Sequence, residues 1–138
     1  MKASSVARAY TAADMSSKTE GRPPAELIVL LLDKACACLR RSSMLPIDSI
    51  DGLPLEERLN LTEDFHKNTG KAMQIIVALR ELLDMENGGE LSVQLHDTYT
   101  AITNTIWNAS KSKNIDDLGK MLSAITELRS AWETVASS

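Results

Sequence analysis

Aromatic side chains are scarce in this chain: two Trp, two Tyr and one Phe make up 4% of 138 residues. Nor do β-branched residues alternate with polar ones over several positions, and the two absences together exclude a sheet. Only two cysteines are present. Cys36 and Cys38 stand two apart in a helical pattern, with side chains about 200° apart around the helix, so they do not pair with each other. No Cys or His elsewhere completes a zinc set. Free core thiols in a reducing compartment are expected, with no metal and no cofactor.

Long apolar runs are also missing. Leu27 to Leu32 is the most apolar stretch, and Glu26 on one side and Asp33 and Lys34 on the other hold it far below the roughly 20 residues that cross a bilayer. Residues 1–20 lack the apolar core of a secretory signal. The expectation is a cytoplasmic protein without direct membrane insertion, or one exported without such a signal. Positive charge is in deficit: 15 Lys and Arg face 19 Asp and Glu, a net charge of −4, which argues against a nucleic-acid partner. Arg40-Arg41, the one basic doublet, suits the negative end of a helix dipole.

What the chain does have is helical periodicity, in a length suited to one domain with one core. The stretch Leu82-Leu83-Asp84-Met85-Glu86-Asn87-Gly88-Gly89-Glu90-Leu91 organises it. A helical pattern runs into the Gly pair and another runs out. Two glycines that take positive φ without steric penalty end the first helix and reverse the chain, so the flanking helices lie antiparallel. Upstream, residues 1–22 are poor in large apolar groups and read as a flexible N-terminal arm with one short helix around Tyr10. Pro23-Pro24 opens a helix that runs to about Ser43. Pro46, Gly52 and Pro54 mark a loop.

A second helix runs from Leu55 to about Met85, with the stripe Phe65, Thr69, Ala72, Met73, Ile76, Leu79 and Leu83, and with Leu55, Leu59 and Thr62 upstream. Leu91, Leu95, Thr98, Tyr99, Ile102, Ile106 and Ala109 mark a third, which ends at Lys111 to Lys113. Asn114 caps a fourth, whose face carries Leu118, Met121, Leu122, Ile125, Leu128, Trp132 and Val135. The expected fold is all-α, an antiparallel four-helix bundle over residues 23–138.

A bundle needs one stripe per helix, so apolar residues outside the stripes carry information. With Ile28, Leu31, Ala35 and Cys38 toward the core, Val29, Leu32 and Cys36 form a second stripe. Trp107 likewise falls off its stripe, on the side of His96, Thr100 and Thr103. These positions read either as a wide buried face with Trp107 flat on the bundle, or as grooves for the apolar side chains of a partner helix. Enzymatic constellations are few: there is no Gly-rich phosphate loop, no HExxH and no nucleophile elbow. Phe65-His66-Lys67-Asn68-Thr69-Gly70 has the flavour of a histidine phosphotransfer bundle. The Lys of such bundles normally follows the His by three residues, whereas here Asn68 and Thr69 occupy that neighbourhood, and a structural or surface His66 is the competing reading.

Leu83-Asp84-Met85-Glu86-Asn87-Gly88-Gly89-Glu90-Leu91, then Leu95 and Tyr99, then Glu127-Leu128-Arg129-Ser130-Ala131-Trp132, resemble the FliS family of flagellar export chaperones. Ala9-Tyr10 and the block Pro24 to Asp33 fall at that family's mutual spacing. The chain departs from the family pattern at Leu32, Lys34, Thr100, Ala101 and Thr105, and in an inserted loop from Met44 to Pro54. The resemblance implies a non-enzymatic cytosolic chaperone that binds the disordered C-terminal segment of flagellin, prevents its premature polymerisation and presents it to the flagellar type III export gate. The off-stripe Val29, Leu32 and Trp107, together with Tyr99, are the expected flagellin-binding residues, and the resemblance implies export-gate docking at Tyr10. The rival functions are phosphotransfer through His66 and a secretion chaperone for a different client.

Overall fold

A computed structural model describes residues 24–137. Among them four α-helices follow one another, α1 (Ala25–Met44), α2 (Leu55–Glu81), α3 (Gly89–Ser112) and α4 (Ile115–Ala136), with a 3-10 turn at Ile47–Ser49 between α1 and α2 and no strand. Each helix packs on its neighbour in sequence, and α1 packs closely on α4 to close a ring. The turns from α2 to α3 and from α3 to α4 are too short for anything but antiparallel neighbours. The expected bundle is the observed one.

The helix ends follow from local chemistry. Pro24 precedes α1, and its carbonyl accepts the amides of Leu27 at 3.0 Å and Ile28 at 3.2 Å. Asn114 caps α4 as its spacing predicts, its Oδ1 accepting the Asp117 amide at 3.1 Å. Lys113 takes the left-handed conformation before it, with φ 57°.

The turn after α2 departs from expectation. The helix stops at Glu81, four residues before Met85, because Asp84 offers its amides a competing partner. Its Oδ1 accepts the backbone N–H of Glu86 and of Asn87, each at 3.0 Å, and such an Asx turn displaces the helical pattern. The two glycines also serve different ends. Gly89 alone has positive φ, 63°. Gly88 sits at φ −77°, ψ −7°, and is needed for space: a Cβ there would lie 1.7 Å from Ser92 Oγ and 2.6 Å from the Asp84 carbonyl oxygen.

All four helices supply the core. Ile28, Leu32 and Leu39 of α1, Phe65, Ile76 and Leu79 of α2, Leu95, Tyr99 and Ile106 of α3, and Leu118 and Ile125 of α4 are fully buried. The α1–α2 connection is more than a loop, since its 3-10 turn carries Ile47 into this core and Ile50 follows it. Leu55 and Leu59, read as upstream members of the α2 stripe, are exposed. Counted back at about 100° per residue, they point roughly 80° and 120° away from Phe65.

In α1 the buried seam is Ile28, Leu32, Ala35 and Leu39, at spacings of four, three and four. Leu32 is therefore a core residue with 0% exposure, and Leu31 the half-buried flank. Cys36 also belongs to the core, its Sγ 3.7 Å from Thr126 Oγ1. Cys36 and Cys38 are both buried and free.

Candidate functional site

Of the four seams in the ring, that between α3 and α4 is the least closely packed. The cause is side-chain size. On α3 the positions facing α4 are Thr98, Ala101 and Thr105, spaced by three and four; on α4 they include Ala124 and Ala131, seven apart. Rows of small side chains cannot fill the groove of the opposing helix, so the two surfaces do not interlock. What remains is an open groove of about 370 Å³, lined in addition by Ile102, Met121 and Leu128.

Its polarity is low. Thr98 Oγ1 donates to the Gln94 carbonyl of its own helix at 2.9 Å. Glu127 is the one charged residue in the lining, exposed at the α4 edge.

The residues expected to bind a partner do not converge on this groove. Leu32 and Tyr99 are each 0% exposed, so both are corrected from surface to core. Tyr99 shares its α3 face with Leu95, Ile102 and Ile106, all buried. Val29 is half-buried against the core.

Trp107 is 53% exposed, with the Lys111 ammonium 5.5 Å from its ring centroid, a distance suited to a cation–π contact. It lies about 180° around α3 from Thr98, so it stands outside the groove. Tyr10 lies outside the described residues. Further exposed apolar groups are Leu27 and Leu30 on α1, and Met85 and Val93 around the start of α3.

Sequence reasoning missed the groove because it looked for surplus large side chains. Its signal is the opposite, a run of small ones. Ala101 and Thr105, two departures from the family pattern, both line it.

Polar side chains also tie the helices to one another. His66 Nδ1 lies 2.9 Å from Ser110 Oγ, which lies 3.0 Å from Thr69 Oγ1, joining α2 to α3. Arg129 Nε donates to Asp33 Oδ1 at 2.6 Å, joining α4 to α1, and its Nη1 pairs with Glu133. The hydrogen bond that Arg129 donates to the Asp33 carboxylate raises the Arg129 pKa above its ordinary value, so this side chain stays charged. Among the described residues no three His, Cys, Asp or Glu could together hold a metal ion, and no helix is long and apolar enough to cross a membrane.

The family model described as flagellar protein FliS matches residues 6–138. The flagellar secretion chaperone FliS of Vibrio cholerae is 35% identical over 66 residues, 48% of this chain and 48% of that protein. The flagellar secretion chaperone FliSB of Pseudomonas aeruginosa is 34% identical over 67 residues, 49% of this chain and 53% of that protein. The matched stretch thus spans about half the length of these curated relatives.

Proposed function

The chain belongs to the FliS family, whose model covers nearly its whole length, and on that premise we propose that it is a flagellar export chaperone acting in the cytoplasm. Its client is the disordered C-terminal segment of flagellin, which it keeps from polymerising and hands to the flagellar type III export gate. FliS is a chaperone family and not an enzyme family, and His66 is engaged with Ser110.

The observation that carries this reading is the apolar groove between α3 and α4 on a bundle whose core is complete without it. A segment that folds as it binds lays an amphipathic helix into such a groove, with anchors at i, i+4 and i+7. At ~1.5–3 kcal/mol for each buried aliphatic side chain, three anchors supply ~5–9 kcal/mol gross. Ordering the segment takes back ~2–5 kcal/mol. The net is a few kcal/mol, so the groove alone holds a client weakly. Tight capture then requires more contacts, and the exposed Leu27, Leu30, Met85 and Val93 provide apolar surface for them. Tyr10, through its match to the family pattern, is the residue proposed for docking at the export gate.

The test is titration of the full chain with the C-terminal segment of the flagellin encoded in the same genome, for the wild type and for Ala101→Trp. Ala101 is exposed in the groove wall, so an indole there fills the trough without entering the core. One-to-one binding weakened tenfold or more by this change supports the assignment. Binding that ignores it removes the groove from the function, and no binding at all removes flagellin as client.

A further inference from the structure

Glu127 is the one charged group in an otherwise apolar and hydroxyl-bearing lining. Among the described residues it has no ion-pair partner, whereas the nearest cations in sequence are engaged elsewhere: Lys120 pairs with Asp117, and Arg129 with Asp33 and Glu133. On α4 it sits between Ala124 and Leu128, both in the lining, and about 60° from Ala124 around the helix, which places it on the rim beside the floor. A carboxylate in that position adds nothing to burial of an apolar guest. It does make one arrangement of the guest better than the others.

We propose that Glu127 selects the guest: the groove takes an amphipathic helix that carries a Lys or Arg on the flank of its apolar ridge, and the ion pair with Glu127 sets the register in which the ridge is seated. The inference rests on the reading that the groove holds a client helix, and it names the chemistry by which one helix is preferred to another. Apolar anchors alone do not fix register, since a helix shifted by one turn presents nearly the same ridge. A single charge pair at the rim discriminates between such alternatives. The along-axis span fits: Thr98 to Thr105 is about two turns of α3, room for three successive anchors of the guest.

The experiment uses three 15-residue capped peptides that share leucines at i, i+4 and i+7 and differ only at both flanks of that ridge, which are lysine, glutamate or glutamine throughout. Each is fluorescein-labelled and titrated with the full chain by anisotropy in low salt. The chain's net charge of −4 favours the lysine peptide everywhere on the surface, so the preference of the wild type is not the readout. The change in preference is. Glu127→Gln should reduce the lysine-over-glutamine ratio by about 2- to 5-fold, the range of a rim ion pair, and Glu127→Lys should turn the preference toward the glutamate peptide.

Ala101→Trp should weaken all three peptides alike, which locates them in the groove. If the peptides bind in the groove and their ratios are the same in wild type, Glu127→Gln and Glu127→Lys, the selection by Glu127 is refuted while the groove's role stands. If none binds at chain concentrations up to ~1 mM, the range that the groove's few kcal/mol requires, or Ala101→Trp changes nothing, the groove does not hold such a helix and both readings fall. Glu127 is exposed, so its variants keep the fold, and unchanged far-UV circular dichroism verifies this.

Discussion

Gly88→Ala puts two physical effects in direct opposition. Gly88 sits at φ −77°, ψ −7°, a conformation open to any L residue. On backbone grounds alone alanine would stabilise the fold by ~0.4–1 kcal/mol, by narrowing the unfolded ensemble. The surroundings say otherwise. A Cβ at this position meets Ser92 Oγ at 1.7 Å, Ser92 Cβ at 2.7 Å and the Asp84 carbonyl oxygen at 2.6 Å, where ordinary contact begins at 3.4 Å. Ser92 is fully buried, and the Asp84 carbonyl is backbone that accepts the Gly88 amide at 2.9 Å.

Relief therefore means opening the turn that joins α2 to α3. Overpacking of this kind costs ~1–3 kcal/mol and a strained turn hydrogen bond adds ~1 kcal/mol, which together outweigh the entropic gain. The expected net is a loss of ~1–3 kcal/mol, or about 3–10 °C in Tm for a domain of this size. Thermal melts followed by circular dichroism, with urea unfolding for the free energy, measure it. Ser92→Ala in the same chain should recover only part, because Ser92 Cβ and the Asp84 carbonyl remain in the way. An unchanged or higher Tm for Gly88→Ala would refute the close-approach argument.

Gly89→Ala, by contrast, should cost only the left-handed penalty of ~1–2 kcal/mol, with no steric component to be rescued by Ser92→Ala. Leu32→Ala should lower stability by ~2–5 kcal/mol as a cavity in a filled core, while Trp107→Ala stays within about 1 kcal/mol; equal effects in urea titrations would contradict the burial assigned to the two. Ile47→Ala, in a segment that reads as a loop, should cost ~2–5 kcal/mol as well, and a value near zero would show that the 3-10 turn does not contribute to the core. Asp33→Asn should lower Tm slightly, by less in 1 M salt than in dilute buffer. Because the folded-state pKa of Arg129 is raised above its already high ordinary value, its contribution is complete below that value and is lost only as pH rises through the higher one. The Tm difference between wild type and Asp33→Asn should accordingly be level from about pH 7 to pH 10, and a drop inside that range would contradict the sign.

Helix number, order and class were legible because periodicity and punctuation agree along most of the chain: Pro24 before α1, Asn114 before α4, and unbroken spacings of three and four on the last helix. What failed was phase. In α1, Leu31 and Leu32 lie about 60° and 40° to either side of Ile28 around the axis, and six consecutive large apolar residues, Leu27 to Leu32, leave the sequence unable to say which edge of the arc is innermost. Leu32 against Leu31 was decided by packing on α4 and α2, outside the reach of a local pattern. Tyr99 was already in the core stripe by its spacing, and only the family resemblance had drawn it to the surface. The Asx turn at Asp84 was visible in principle, since Asp followed by Asn-Gly is turn chemistry, yet the helical period overrode it. The groove was invisible for a plainer reason: it is made of Ala and Thr, and an absence of volume leaves no hydrophobic signal.

That absence also separates folding from binding. The residues buried most deeply come from all four helices and none of them but Ile102, at 4% exposure, and Leu128, at 7%, also lines the groove. Three seams of the ring are more closely packed than the fourth, where the facing side chains are too small to fill the space between the helices. Filling it from within the chain should accordingly leave the fold intact or stabilise it, because new apolar contacts form at no expense to the core. Ala101→Trp tests this directly: an unchanged or raised Tm together with loss of the client would mean that the space between α3 and α4 is reserved for a guest. A lowered Tm with the client still bound would mean that α3 and α4 already use that space to hold each other.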